Sequence, residues 1–350
     1  MFFYIIFFVL VSIPILFINK KYNFFPKLLF CFICILFFSL RDFSVGSDTS
    51  SYFEIFSLSK YIGVLNSSIE PLFILFNLVV YSVNSSFNFY LFIYSTLFVL
   101  LWVISIEKNV ILNKDIAFIS FICFFGYLLS FNVARQALAM AICVFSLYFL
   151  FKNKNLIFFL IVGIACLIHY SAIVFMVSFF ILRSSKFPFL IFLSSFIGSY
   201  LFSIIGIRFF SNFSSRYNNY NEFGGAVTGS YLILFVFLQF MLFYFIYKKY
   251  FISNATYRYF LSLFSFGVGL LLALKFLKIP DEGPGRLPFY FLVLNVFLFP
   301  YVFLIFRTQS STILAKFIFY IFCCFYFMFG INSGAGGIKD YFIHSNFLIF

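Results

Sequence analysis

The sequence predicts an all-α fold, a polytopic bundle of about twelve membrane-spanning helices with one further short re-entrant or interfacial helix. Three observations predict it. Hydrophobic residues make up 64% of the chain and charged residues 9%, a composition suited to hydrocarbon rather than water. Apolar runs of spanning length recur from Phe2 to Ile331 with short polar breaks, and in a bilayer such runs are helical because only a helix or a closed barrel satisfies its own backbone there. Finally, a single threading gathers the basic short loops on one face, as cytoplasmic loops require.

That threading places spans at about 2–18, 27–40, 87–106, 115–130, 133–151, 155–168, 171–183, 187–206, 230–247, 256–277, 287–306 and 313–331. The first could pass for a signal segment, but it lacks a basic start and a small-residue cleavage site and further spans follow at once, so it reads as retained. Lys20, Lys21 and Lys27 then lie inside, followed by Lys108 and Lys114, Lys152 and Lys154, Arg183 and Lys186, Lys248 and Lys249, and Arg307. Both termini come outside. Pro71–Val83 is too short for a comfortable crossing and sits between two outside ends, which makes it the re-entrant or interfacial helix. The whole chain, 1–350, is expected to form one integral membrane domain, with external loops at about 41–86, 207–229 and 278–286 and an external tail at 332–350. No stretch is left for a soluble enzyme domain.

Composition also narrows function. The seven cysteines, Cys31, Cys34, Cys123, Cys143, Cys166, Cys323 and Cys324, all fall inside apolar runs without His or carboxylate neighbours at ligand spacing. Packing is therefore the expected role, even for the C-x-x-C pair Cys31 and Cys34, and no metal or other cofactor is expected. The net charge of +13 is scattered over many short loops, so it reflects membrane topology rather than nucleic-acid binding. The 67 phenylalanines beside many Ile, Asn and Lys suggest AT-rich coding, hence a bacterium.

The residues left outside differ in kind from the lysines inside. They are Arg41, Asp42, Asp48, Glu54 and Glu70 on the first large loop, Asn132, Arg135 and Gln136 at the next turn, and His169. Beyond them lie Arg208, Arg216 and Glu222, then Lys278, Asp281, Glu282 and Arg286. Arginines, carboxylates and a histidine at one face suggest a polar site there. Arg135 opens the apolar helix Asn132–Leu150, where a guanidinium beside free helix N–H groups suits a phosphate or pyrophosphate. Snorkelling to headgroups is the plainer alternative. His169 is either a satisfied interfacial residue or a general base or donor to substrate. Glu70 before Pro71 and Glu54 near Tyr52 read equally as caps or surface residues, and Asp42 and Asp48 are too far apart for a D-x-D metal site. Asp281–Pro288 is a turn-rich lead into a span, with Arg286 placed like Arg135 at a helix start.

In order along the chain stand Arg41-x-x-x-Val45-Gly46-Ser47-Asp48-Thr49-x-x-Tyr52-x-x-x-Phe56, Glu70-Pro71-Leu72-Phe73, Asn132-x-x-Arg135-Gln136-x-Leu138-Ala139, Leu167-Ile168-His169-Tyr170-Ser171-Ala172 and Gly285-Arg286-x-x-x-Tyr290-Phe291. Together they resemble the EpsG family, a branch of the Wzy-like polysaccharide polymerases, over the stretch from Arg41 to Pro300. Ser47 stands where threonine is expected. The resemblance implies a GT-C-like polymerase architecture and an enzyme that joins oligosaccharide repeat units carried on undecaprenyl pyrophosphate, at the outer face of the cytoplasmic membrane. It implies lipid-linked donor and acceptor as partners, in a lipid bilayer and alongside a flippase and a chain-length regulator. Arg135, Arg286 and Arg41 would then hold pyrophosphate, His169 or Asp48 would serve as base, and Gln136, Glu70, Asp42, Tyr52 and Asp281 would supply further polar contacts. An O-antigen ligase shares this donor, and a flippase of lipid-linked glycans is the alternative outside enzymes. Donor transfer of this kind needs no nucleotide-binding loop, and no phosphate-cradling glycine motif is present.

Overall fold

The structure is a computed structural model and describes residues 2–19, 23–42, 44–61, 69–184, 186–211, 230–279 and 283–332. Asp281, Glu282, Lys20, Lys21, most of the 207–229 loop and nearly all of the tail at 332–350 lie outside the described residues. Regular structure among the described residues is helical, and the protein is an integral membrane helical bundle. The contacts group it into two compact units, Met1–Ile173 with Phe299–Phe350, and Val174–Leu298.

The first unit contains α1 (Phe2–Phe17), α2 (Phe24–Ser39), α3 (Thr49–Leu58), α4 (Pro71–Val83), α5 (Phe87–Asn109), α6 (Lys114–Cys123), α7 (Ala134–Phe151) and α8 (Asn155–Ile168). Helix α2 packs on α1 and α5, α7 lies between α5 and α8, and the short α4 lies against α8, α3 and α5. Pro71 sits at the first position of α4, where its fixed φ suits a helix start and its missing N–H costs nothing. The apolar faces turned away from neighbours are large. In α1, Phe2, Val9 and Leu16 are exposed, the pattern of a helix whose outer face meets lipid tails rather than water.

The second unit holds α9 (Val177–Arg183), α10 (Pro188–Ser211), α11 (Ser230–Ile246), α12 (Ala255–Phe276), α13 (Phe289–Leu292) and the start of α14 (Asn295–Val302); α15 (Gln309–Asn332) belongs to the first unit. Helix α12 is its centre, packing on α9, α10, α11 and α13. A methyl group at Gly269 would stand 2.0 Å from Ser195 Oγ and 2.5 Å from the Phe192 carbonyl oxygen, so only glycine allows α10 and α12 to approach so closely. Asn254 caps α12 by accepting a hydrogen bond from the Tyr257 N–H at 2.9 Å.

Among the described residues seven helical stretches have both the length and the hydropathy to cross a bilayer: Phe87–Asn109, Lys114–Phe131, Ala134–Phe151, Tyr231–Phe251, Ala255–Phe276, Gly283–Val302 and Gln309–Ile331. The other expected spans appear as shorter apolar helices, Phe2–Phe17, Phe24–Ser39, Asn155–Ile168 and Tyr170–Arg183, and as the apolar stretch Pro188–Ser203 of α10, and the expected re-entrant segment Pro71–Val83 is a short apolar helix as well. Three expected spans are not continuous helices. Helix α6 stops at Cys123 and the chain resumes as a short 3-10 helix over Leu128–Phe131, Tyr170–Met176 is a 3-10 helix before α9, and α13 breaks before α14. At the first break Phe124 and Tyr127 are buried, and the Tyr127 N–H donates to the Phe121 carbonyl at 2.9 Å. Irregular backbone at membrane depth is tolerated where protein covers it.

Candidate functional site

Within the first unit the charged groups separate to two ends. At one end Glu107, closing α5, accepts from Lys27 at 2.9 Å and Lys114 at 2.7 Å, and Lys108 lies 5.5 Å from the ring of Tyr148 near the end of α7. These lysines are part of the set that the threading assigned to one face. At the other end the start of α7 meets the end of α8 and the start of α4.

Glu70 is the junction. It precedes α4 and is 4% exposed. Its Oε2 accepts from Arg135 Nη1 at 2.7 Å, its Oε1 lies 2.9 Å from His169 Nδ1, and the Tyr170 N–H donates to the same Oε1 at 3.3 Å. Burial works to raise the pKa of the Glu70 carboxyl, but the hydrogen bond from His169 and the charge of Arg135 outweigh it and hold the group at about 2 rather than the ordinary 4.5. Arg135 and His169 reach the surface above it, their side chains 28% and 26% exposed. Arg135 also lies 5.6 Å from the Phe73 ring, and its buried Nε has no hydrogen-bond partner among the described residues.

The loop after α2 holds the start of α7 in place. Gly46 has φ +96°, and a methyl group there would stand 2.4 Å from the Phe131 carbonyl oxygen. Thr49 Oγ1 bonds the Val45 and Phe131 carbonyls at 2.7 and 3.3 Å, and the Ser47 N–H donates to Asn132 Oδ1 at 3.1 Å. Arg41 is 1% exposed, its guanidinium stacked 4.0 Å from the Phe38 ring and 4.5 Å from the Phe131 ring. The Arg135 N–H, one of the donors a helix start leaves open, points to the Tyr52 hydroxyl at 3.4 Å instead of facing an open anion site. Burial pushes the Tyr52 pKa up despite the pull of Arg135, so it stays a neutral phenol at pH 7.

The structure thus joins Glu70, Arg135 and His169 directly and Tyr52 through the Arg135 backbone. Asp48, half-buried, accepts from the Ser47 hydroxyl at 2.9 Å, while Asp42 accepts from the Ser44 N–H at 2.9 Å and so shapes the loop. Gln136 is buried on α7. Arg286 ends the turn Gly283–Arg286 in the second unit, and Asp281 lies outside the described residues. The sequence reads Glu70 as a cap or surface residue and, through the Glu70-Pro71 motif of the resemblance, as a further polar contact; it does not reveal Glu70 as the shared partner of Arg135 and His169, nor the rings of Phe38 and Phe131 around Arg41. Among the described residues no cluster of three or more His, Cys, Asp or Glu side chains is arranged to hold a metal.

No curated protein and no solved structure matches the chain. The model of the EpsG family matches residues 24–343. With nearly the whole chain inside that match, the protein belongs to the EpsG family of Wzy-like polysaccharide polymerases.

Proposed function

We propose that this membrane protein joins oligosaccharide repeat units carried on undecaprenyl pyrophosphate, by metal-independent glycosyl transfer at the outer face of the bacterial cytoplasmic membrane. The observation that carries the reading is the meeting of Arg135 and His169 on Glu70, from three separated segments, at the end of the first unit opposite the lysines. A hydroxyl of the acceptor glycan attacks the anomeric carbon of the donor and undecaprenyl pyrophosphate leaves. The leaving group carries its own negative charge, so a cation beside it lowers the barrier more than an acid would. Arg135 supplies that cation, its side chain 28% exposed beside Glu70. His169 accepts the hydroxyl proton, with Asp48 as the second candidate. Arg286 keeps the anion-binding role on the strength of its motif alone. We assign Arg41, stacked and buried, to holding the loop, with Asp42 shaping it; Tyr52 orders the α7 start and Gln136 lies beside it. A flippase would deliver the lipid-linked units, and a chain-length regulator would act on the product.

The test is incubation of purified protein with one lipid-linked repeat unit. A ladder of products supports the polymerase, single transfer only to a different acceptor points to a ligase, and movement across a bilayer without bond formation points to a flippase. Arg135→Ala should abolish the ladder while the protein still reaches the membrane.

A further inference from the structure

We propose that Glu70 is the positioning residue of the site, holding His169 in the tautomer that carries its proton on Nδ1 and tying it to Arg135 through one shared carboxylate. The inference rests on the reading of His169 as the base. A carboxylate can only accept hydrogen bonds, and at neutral pH Glu70 is ionised. The Nδ1 that lies 2.9 Å from Oε1 must therefore be the donor. In the neutral ring this leaves the lone pair on Nε2, the atom that can take a proton from an incoming hydroxyl. The backbone reinforces the arrangement, because the Tyr170 N–H binds the same Oε1 at 3.3 Å and so fixes the chain immediately after His169.

The second carboxylate oxygen is held by Arg135 Nη1 at 2.7 Å. Among the described residues the charged and titratable groups facing Glu70 are Arg135 and His169, with Tyr52 beyond Arg135 and Asp48 near Tyr52. Without the carboxylate, an imidazolium formed at His169 would stand near a guanidinium with nothing between them. With it, the acceptor proton passes to Nε2, the acceptor oxygen bonds the anomeric carbon, and the bond from that carbon to the pyrophosphate oxygen breaks. The electron pair stays on the departing pyrophosphate, beside Arg135. Glu70 itself touches neither reactant; it orders both partners of the displacement.

Glu70→Gln makes the argument testable because the amide has one acceptor and one donor. The charged Arg135 at 2.7 Å outweighs the longer bond from the Tyr170 N–H at 3.3 Å in the competition for the amide oxygen, which turns the NH2 toward His169 Nδ1 and forces that nitrogen to accept. The imidazole proton then moves to Nε2 and the base loses its lone pair. The chain has two histidines, His169 and His344, so a His344→Gln parent labelled with 15N-histidine reports His169 alone. With the ring neutral, the parent should show the Nδ1–H tautomer and Glu70→Gln the Nε2–H tautomer. In the ladder assay Glu70→Gln should lower kcat by about 100-fold or more with little change in KM for the lipid-linked donor, and Glu70→Asp should recover part of the rate. An Nε2–H tautomer in the parent, or an unchanged kcat in Glu70→Gln, overturns the proposal. If Glu70→Gln does not fold, the parent spectrum still decides. A parent that makes no ladder removes the polymerase reading, while its spectrum judges Glu70 separately.

Discussion

At the residue scale a single carboxylate joins the polar groups of the candidate site. Arg135 and His169 stand out in the sequence because each is a lone polar group at the edge of an apolar run, whereas Glu70 stands before a proline and looks like an ordinary helix cap. In the structure it is the least exposed of the three and the partner of both others. Its depressed pKa has a consequence for stability. A carboxyl at about 2 when folded and 4.5 when unfolded contributes stability that is complete above pH 4.5 and is lost as the pH falls toward 2. Thermal unfolding in detergent should therefore separate the parent from Glu70→Gln most widely above pH 4.5, with the gap closing as the pH approaches 2. A gap that stays constant over this range would mean that Glu70 is not held ionised by its neighbours.

Among the elements, the loop between α2 and α3 does the positioning. Gly46, Thr49 and Arg41 all engage Phe131, and Tyr52 reaches Arg135 from α3. Gly46→Ala would place a β-carbon against the Phe131 carbonyl at a positive φ, and the backbone strain alone costs about 1–3 kcal/mol. The variant should melt a few degrees below the parent, on the order expected for that loss, and should lose polymerisation; equal melting points would show that the loop does not dock there. The helices themselves were legible, since long uniform apolar runs leave the backbone one economical choice. The breaks were not. The stretch 115–130 reads as one span because Phe124, Phe125 and Tyr127 are as apolar as their neighbours, yet Phe125 adopts φ +50°. The site was half legible for the same reason: isolated polarity marks Arg135 and His169, but their meeting on Glu70 spans 65 and 99 positions, a distance over which periodicity is silent.

For the molecule as a whole, the separation of charge between two ends of the first unit bears on orientation. Lys27, Lys108 and Lys114 gather where α5 ends and α6 begins, and contact between Lys108 and Tyr148 brings the end of α7 to the same place. Glu70, Arg135 and His169 gather where α7 begins and α8 ends. Helix α7 thus runs from the site to the lysines, and the turn at Asn153 that follows it belongs to the lysine end. Positive charge retained on short loops marks the cytoplasmic face, which supports the proposal that the site faces outward, toward lipid-linked repeat units. Two exposed positions test this directly, Ser44 on the loop beside the site and Asn153. In a background with the seven native cysteines replaced, Ser44→Cys should react with a membrane-impermeant thiol reagent in intact cells. Asn153→Cys should react only after permeabilisation. The reverse pattern would turn the site toward the cytoplasm, where an acceptor glycan already moved across the membrane could not reach His169, and the proposed reaction would have to be given up.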